Sequence, residues 1–136
     1  MSDTSYNTNL AAEFHVMSVL HRLGADAALT LGNKKSVDIA VIRGKGDSIT
    51  IDVKGLEGKT GWPVDNVGPG KAKHFLVFVC FQGKIADPEV IPLVWVVPSL
   101  KLEPLMYKAP GGRRLVTLST LNKQGTKYKD AWKAVM

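Results

Sequence analysis

Residues 36–55 read Ser36-Val-Asp-Ile-Ala-Val-Ile42, then Arg43-Gly-Lys-Gly-Asp47, then Ser48-Ile-Thr-Ile-Asp-Val-Lys-Gly55. With a period of two, the first run sets Asp38, Ala40 and Ile42 on one face and Val37, Ile39 and Val41 on the other. The last run sets Ser48, Thr50, Asp52 and Lys54 on one face and Ile49, Ile51 and Val53 on the other. Between them, Arg43–Asp47 has the composition of a hairpin turn. In an antiparallel hairpin the start of the first strand lies beside the end of the second. Asp38 and the pair Asp52 and Lys54 are therefore expected at the same edge of the sheet. Two carboxylates and an amine sharing one spot suit a divalent metal and a phosphate.

Upstream, Thr8 or Asn9 can cap a helix running to about Leu23, with Gly24 as its stop. On a helical wheel Leu10, Phe14, Met17, Leu20 and Leu23 spread over one apolar arc, and Glu13 falls inside it. A carboxylate on the core-facing side of a helix is costly unless paired, protonated or metal-bound. The bland alternative is an ion pair with Lys54.

Asp38 followed about a dozen residues later by Asp52-Val-Lys54, behind a helix carrying Glu13 in Leu10-Ala-Ala-Glu-Phe14, resembles the PD-(D/E)xK nuclease superfamily. That superfamily includes restriction endonucleases and archaeal Holliday-junction resolvases. The likeness covers roughly the first 55 residues, and Val37 stands where the signature has proline. It implies a restriction-endonuclease-like fold: an α/β (α+β) chain with a mixed central sheet flanked by helices. It also implies a Mg2+-dependent endonuclease, a phosphodiester hydrolase, with Glu13, Asp38, Asp52 and Lys54 as its catalytic residues. Hard carboxylate oxygens from Asp38, Asp52 and Glu13 suit Mg2+ or Mn2+, and the resemblance adds the backbone carbonyl of Val53. Lys54 would orient or deprotonate water, or stabilise the transition state. The Asp-x-Lys spacing alone is weak, since Glu57-Gly-Lys59 repeats it with a glutamate. Its weight comes from the strand pattern and from Asp38 and Glu13, against the alternative of a salt-bridged sheet end.

The rest of the chain reads as one nuclease-like domain, residues 1–136. A short edge strand is expected within 25–31 and a turn at Gly32–Lys35. The Gly- and Pro-rich stretch 55–73 is expected to be a functional loop or to hide a short helix. Strands are expected at 74–81 and 92–97, and a basic turn at Gly111–Arg114 leads into a strand at 115–118. A last helix from about Thr126 would place Tyr128, Ala131, Trp132 and Val135 on a core stripe.

The net charge of +6 is uneven. Residues 101–136 hold eight Lys and Arg against Glu103 and Asp130, whereas the first hundred balance at ten of each sign. That bias is expected if the segment faces a polyanion, the bland alternative being a solvated basic surface; nucleic acid, DNA in the first instance, is the partner that the resemblance implies. Lys59, Trp62, Lys71, Lys73, Arg113 and Arg114 are the expected contacts, with Trp62 as a stacking ring. A homodimer or a separate targeting partner is expected for a domain this small.

Other chemistries fare worse. One cysteine, Cys80, in an apolar run and three scattered histidines give no zinc spacing. There is no P-loop and no Gly-x-Ser-x-Gly elbow. Without an apolar leader or a membrane-length run, the expectation is a cytoplasmic protein with no membrane role. The competing functions are a non-catalytic nucleic-acid-binding module or a protein-interaction domain that keeps the nuclease fold.

Overall fold

Alternating apolar residues form the expected hairpin. In the computed structural model, which describes residues 2–30 and 37–136, β1 (Asp26–Leu29), β2 (Ile39–Ile42) and β3 (Ser48–Leu56) form an antiparallel run. Ile39 lies opposite Ile51, and Ile42 opposite Ser48. The turn closes through Arg43 N–H to the Asp47 carbonyl at 2.8 Å and through a paired guanidinium and carboxylate of the same residues. β1 is the expected edge strand, while the turn expected at Gly32–Lys35 lies outside the described residues.

β5 (His74–Cys80) runs parallel to β3, and β6 (Leu93–Pro98) is antiparallel to β5. The central sheet is mixed, in the order β1-β2-β3-β5-β6. A parallel pair requires a crossover, and the segment after β3 makes it. That segment hides a strand rather than a helix. β4 (Gly61–Pro63) pairs with β8 (Arg114–Thr117), which also pairs with β7 (Tyr107–Lys108). The small sheet covers one face of the central sheet, with Trp62, Val64 and Val116 packed on Leu76, Phe78, Trp95 and Val97. The helix α1 (Ser2–Arg22) covers the other, with Ala12, Val16 and Leu20 packed among Ile39, Val41, Ile49, Ile51 and Val53. β5 is buried on both faces, which explains its unbroken apolar sequence.

α1 departs from expectation at its start and in its phase. It begins at Ser2 rather than near Thr8, because residues 2–8 contain no Gly or Pro to interrupt it. Phe14 is 55% exposed and Leu23 is also exposed, while the buried line is Thr8, Ala12, Val16 and Leu20. Gly55 explains the shift. A Cβ there would lie 3.0 Å from the Thr8 carbonyl oxygen and 3.1 Å from the Ala12 Cβ, so the helix sits close to β3 through small residues. Gly24 stops the helix as expected, at φ +87°, with Ala25 N–H returning to the Leu20 carbonyl.

The C-terminal region differs more. A short helix α2 (Leu118–Gln124) follows β8, with the Thr117 side chain accepting from Thr120 N–H at 3.1 Å. The expected last helix is instead two 3-10 turns, Thr126–Tyr128 and Trp132–Val135. Between them, Asp130 takes φ +52° and donates its N–H to the Val94 carbonyl, tying the chain to β6. Tyr128, Ala131, Trp132 and Val135 still pack on the core, with Lys127, Lys129 and Lys133 exposed. Among the described residues no helix is long and apolar enough to cross a membrane.

Candidate active site

The hairpin register, carried one step past Ile39, sets Asp38 opposite Asp52. Asp38 N–H donates to the Ile51 carbonyl at 2.8 Å, and its Oδ2 accepts the Val53 N–H at 2.7 Å. β3 outruns β2 at this point, and the Asp38 carboxylate serves a backbone donor where the ladder ends. Asp52 is 4% exposed. Its Oδ2 lies 3.6 Å from Lys54 Nζ but has no hydrogen-bond partner. An ionised oxygen in that position is expensive. Burial raises the Asp52 carboxyl to about 6, with Lys54 opposing and Asp38 adding to the rise.

Glu13 joins this cluster from α1. It stands beside the buried line of the helix, at the end of the i, i+4 series Ser5, Asn9, Glu13 that faces the site. Burial first, then the charges of Asp38 and Asp52, raise its carboxyl to about 7. Lys54 lies 3.6 Å from Asp52, the acid it pairs with in place of the Glu13 pairing weighed as the bland alternative. The three carboxylates and Lys54 border one cleft of about 750 Å³, floored by β3 and walled by α1 on one side and by Pro63 and Asn66 on the other.

Among the described residues no group of three or more His, Cys, Asp or Glu side chains is placed to hold a metal ion. The donors present suit a cation that keeps several waters. They are hard oxygens, one of them buried and without a hydrogen bond, and burial, with neighbouring carboxylate charge behind it, raises Glu13 and Asp52. Val53, whose carbonyl the resemblance adds to the ligand set, lies on the cleft beside Asp52.

The expected nucleic-acid contacts divide. Lys59 is exposed in the turn after β3, beside Gly58, whose carbonyl meets Cys80 Sγ at 3.2 Å. Burial raises the Cys80 thiol, as befits an inert core cysteine. Trp62 is corrected: it is 1% exposed, donates Nε1–H to the Val79 carbonyl at 3.2 Å and packs edge-on against Phe78 and Trp95. Its ring belongs to the core and has no face for a base. Lys71 and Lys73 are exposed but precede β5, at the opposite end of the sheet from Lys54, and Lys73 Nζ lies 3.5 Å from Asp47. Arg114 is corrected too. Its guanidinium donates to the carbonyls of Asp65 at 2.6 Å and Val67 at 2.9 Å, and its N–H donates to the Asp65 carboxylate. Arg113 Nε meets the same carboxylate at 2.8 Å, with most of its side chain in solvent. These arginines fasten the loop that carries Asn66. Sequence reading missed Ser5, Asn9 and Asn66 as cleft walls, although the polar 5, 9, 13 spacing was a readable signal.

Comparison with protein-family models and with curated proteins finds no match. Among solved structures, the chain is similar to a bacterial homing endonuclease, I-Ssp6803I, with a TM-score of 0.58 at 16% identity. The alignment covers 96% of this chain and 91% of that one. At that identity the likeness is one of fold, and the fold is one that a nuclease uses.

Proposed function

We propose that this chain is a metal-dependent endonuclease of the PD-(D/E)xK type, hydrolysing phosphodiester bonds in DNA. The observation that carries the reading is Asp38 opposite Asp52, with Lys54 and Glu13 bordering the same cleft and one Asp52 oxygen buried without a hydrogen bond. A binding module has no use for that arrangement, since it strains the apo protein. The fold shared with a homing endonuclease supports the same reading.

Asp38, Asp52 and the Val53 carbonyl, with Glu13 from the helix, would hold Mg2+ or Mn2+. When bound, such a cation lowers the pKa of a coordinated water and offsets charge on the phosphate. The chain's own groups do the rest. Lys54, anchored by Asp52, presents ammonium donors to the phosphate oxygens or to the attacking water. Glu13, with a carboxyl raised to about 7 in the metal-free protein, would release its proton on joining the cation. Asp38 is fixed by the Val53 N–H, so its free oxygen keeps a defined direction.

The test is a cleavage panel of supercoiled, linear, single-stranded and four-way-junction DNA, with Mg2+, with Mn2+ and with EDTA. Metal-dependent cleavage is expected. Lys54→Ala should abolish it while binding stays nearly intact, because one cation among many contributes little affinity. Binding without cleavage of any substrate under any metal would leave the non-catalytic module standing instead.

A further inference from the structure

β2 ends where the cleft begins. Its terminal pairing with β3 is Ile39 with Ile51, so from Asp52 to Leu56 the only partner strand of β3 is β5. The Asp38 carboxylate takes the Val53 N–H on this edge, and strand alternation turns the Gly55 N–H to the same side, beyond the reach of β2. α1 borders the gap from one face of the sheet through Ser5, Asn9 and Glu13. The loop after β4 borders it from the other through Pro63 and Asn66.

Charge is unevenly spread over this cleft. Its border holds three carboxylates and one cation, Lys54, which lies 3.6 Å from Asp52. The walls beside the acids carry no lysine or arginine. What they offer is uncharged: the carboxamides of Asn9 and Asn66 and the hydroxyl of Ser5. All three residues are exposed, and their side chains make no hydrogen bond to another described residue. A cation at position 9 or 66 would pair with the acids and compete with a divalent metal for them. A neutral amide does neither, yet its NH2 group can donate to a phosphate oxygen. Four residues of helix advance about 6 Å, so Asn9 stands one turn from Glu13, beside the carboxylates rather than among them.

We propose that Asn9 and Asn66 are substrate-binding residues whose carboxamides donate, from the two walls of the cleft, to the phosphates next to the one being cut. The Gly55 N–H is a third uncharged donor on the floor between them. This rests on the nuclease reading above and adds how the substrate is gripped there, by neutral donors to the backbone rather than by cations or by contacts to bases. Two properties follow from that chemistry. A neutral donor displaces no counterion, so it leaves the salt dependence of binding unchanged. A backbone contact carries no sequence information, whereas a carboxamide paired with the edge of an adenine would.

The experiment measures kcat/KM for wild type, Asn9→Ala, Asn66→Ala and a control, Asn7→Ala, which removes the same group from an exposed residue of α1 outside the cleft. The substrates are versions of the DNA that the wild type cuts in the panel above, with several base sequences around the cut. Each is also made with one methylphosphonate, in which a methyl group replaces the charged oxygen, at either phosphate next to the cut. Thermal midpoints with and without Mn2+ check that every variant folds and keeps its metal site. Losing a hydrogen bond to a charged group should lower kcat/KM at least about tenfold in Asn9→Ala and in Asn66→Ala. The loss should be alike for every sequence, with the salt slope of binding in Ca2+ unchanged, and the control should match the wild type. The methylphosphonate should slow the wild type by a similar factor and cost the variant that has lost its partner nothing further. Wild-type rates in both variants, a loss confined to certain sequences, or a methylphosphonate penalty as large in the variants as in the wild type overturns the contact and leaves the nuclease reading standing. A wild-type protein that cleaves no DNA under any metal overturns both.

Discussion

At the scale of single residues, the site is defined by charge that the fold leaves uncompensated. Asp52 has one oxygen with no hydrogen bond, and its nearest cation is Lys54, 3.6 Å away. Asp52→Asn should therefore move two measurements in opposite directions. Without metal the variant should be more stable, by roughly 1 kcal/mol or about 3 °C in melting midpoint, because a buried charge is removed. The stabilisation that Mn2+ gives the wild type should disappear. A variant that keeps the Mn2+ shift removes Asp52 from the ligand set. The pH dependence follows from the same charges. The fold raises Glu13 from 4.5 to about 7 and Asp52 from 3.8 to about 6, so the folded state holds protons that the unfolded chain has released. Their contribution to stability is full below about pH 4 and is lost as the pH climbs to about 7. His15 and His74, both lowered by burial, pull the other way, so the comparison must be differential. Glu13→Gln should gain stability over the metal-free wild type as the pH rises from 5 to 8, and an unchanging gap would show that the Glu13 carboxyl is not strained.

At the scale of elements, legibility in the sequence depended on whether a pattern was local. The β2–β3 hairpin was readable because alternation and turn lie within twenty residues, and Asp38, Asp52 and Lys54 met at one edge as expected. Gly24 as a helix stop was equally local. β4 was not readable: three residues with a Gly and a Pro become a strand only because β8, more than fifty residues later, pairs with them. The same distant packing turns Trp62 from an apparent stacking ring into core. The phase of α1 was misjudged because large apolar residues were given more weight than Ala12 and Val16, whose small size matches Gly55 on β3. That contact is testable. Gly55→Val puts side-chain atoms where even a Cβ meets the Thr8 carbonyl at 3.0 Å, so α1 must shift away. The expected cost is about 1–3 kcal/mol of stability. Because Glu13 follows Ala12 directly, cleavage should fall by more than the loss of folded protein accounts for. Activity that tracks the folded fraction alone would detach Glu13 from the chemistry.

At the scale of the whole molecule, the second sheet is what turns an edge of the central sheet into a cleft. Its loop after β4 carries Asn66 to the wall opposite α1, and the arginines of the β7–β8 hairpin hold that loop through Asp65 and the Val67 carbonyl. The charge bias of the last quarter of the chain suggested that Arg113 and Arg114 were contacts for a polyanion. What composition could not reveal was Asp65, forty-eight residues earlier, already bonded to both. The two arginines should now separate. Arg114→Ala deletes a partly buried guanidinium and leaves the carbonyls of Asp65 and Val67 without it, at a cost of roughly 2 kcal/mol. Arg113→Ala removes a mostly solvated pair and should cost less than about 1 kcal/mol. Cleavage should follow the same order, because a loosened loop displaces Asn66 from the cleft wall, while the salt slope of DNA binding should change little for Arg114→Ala. Thermal unfolding of the two single variants, paired with salt-series titrations, separates the possibilities. A fully stable Arg114→Ala protein with a flattened salt slope would return that arginine to the DNA-binding surface and leave the clamp without consequence.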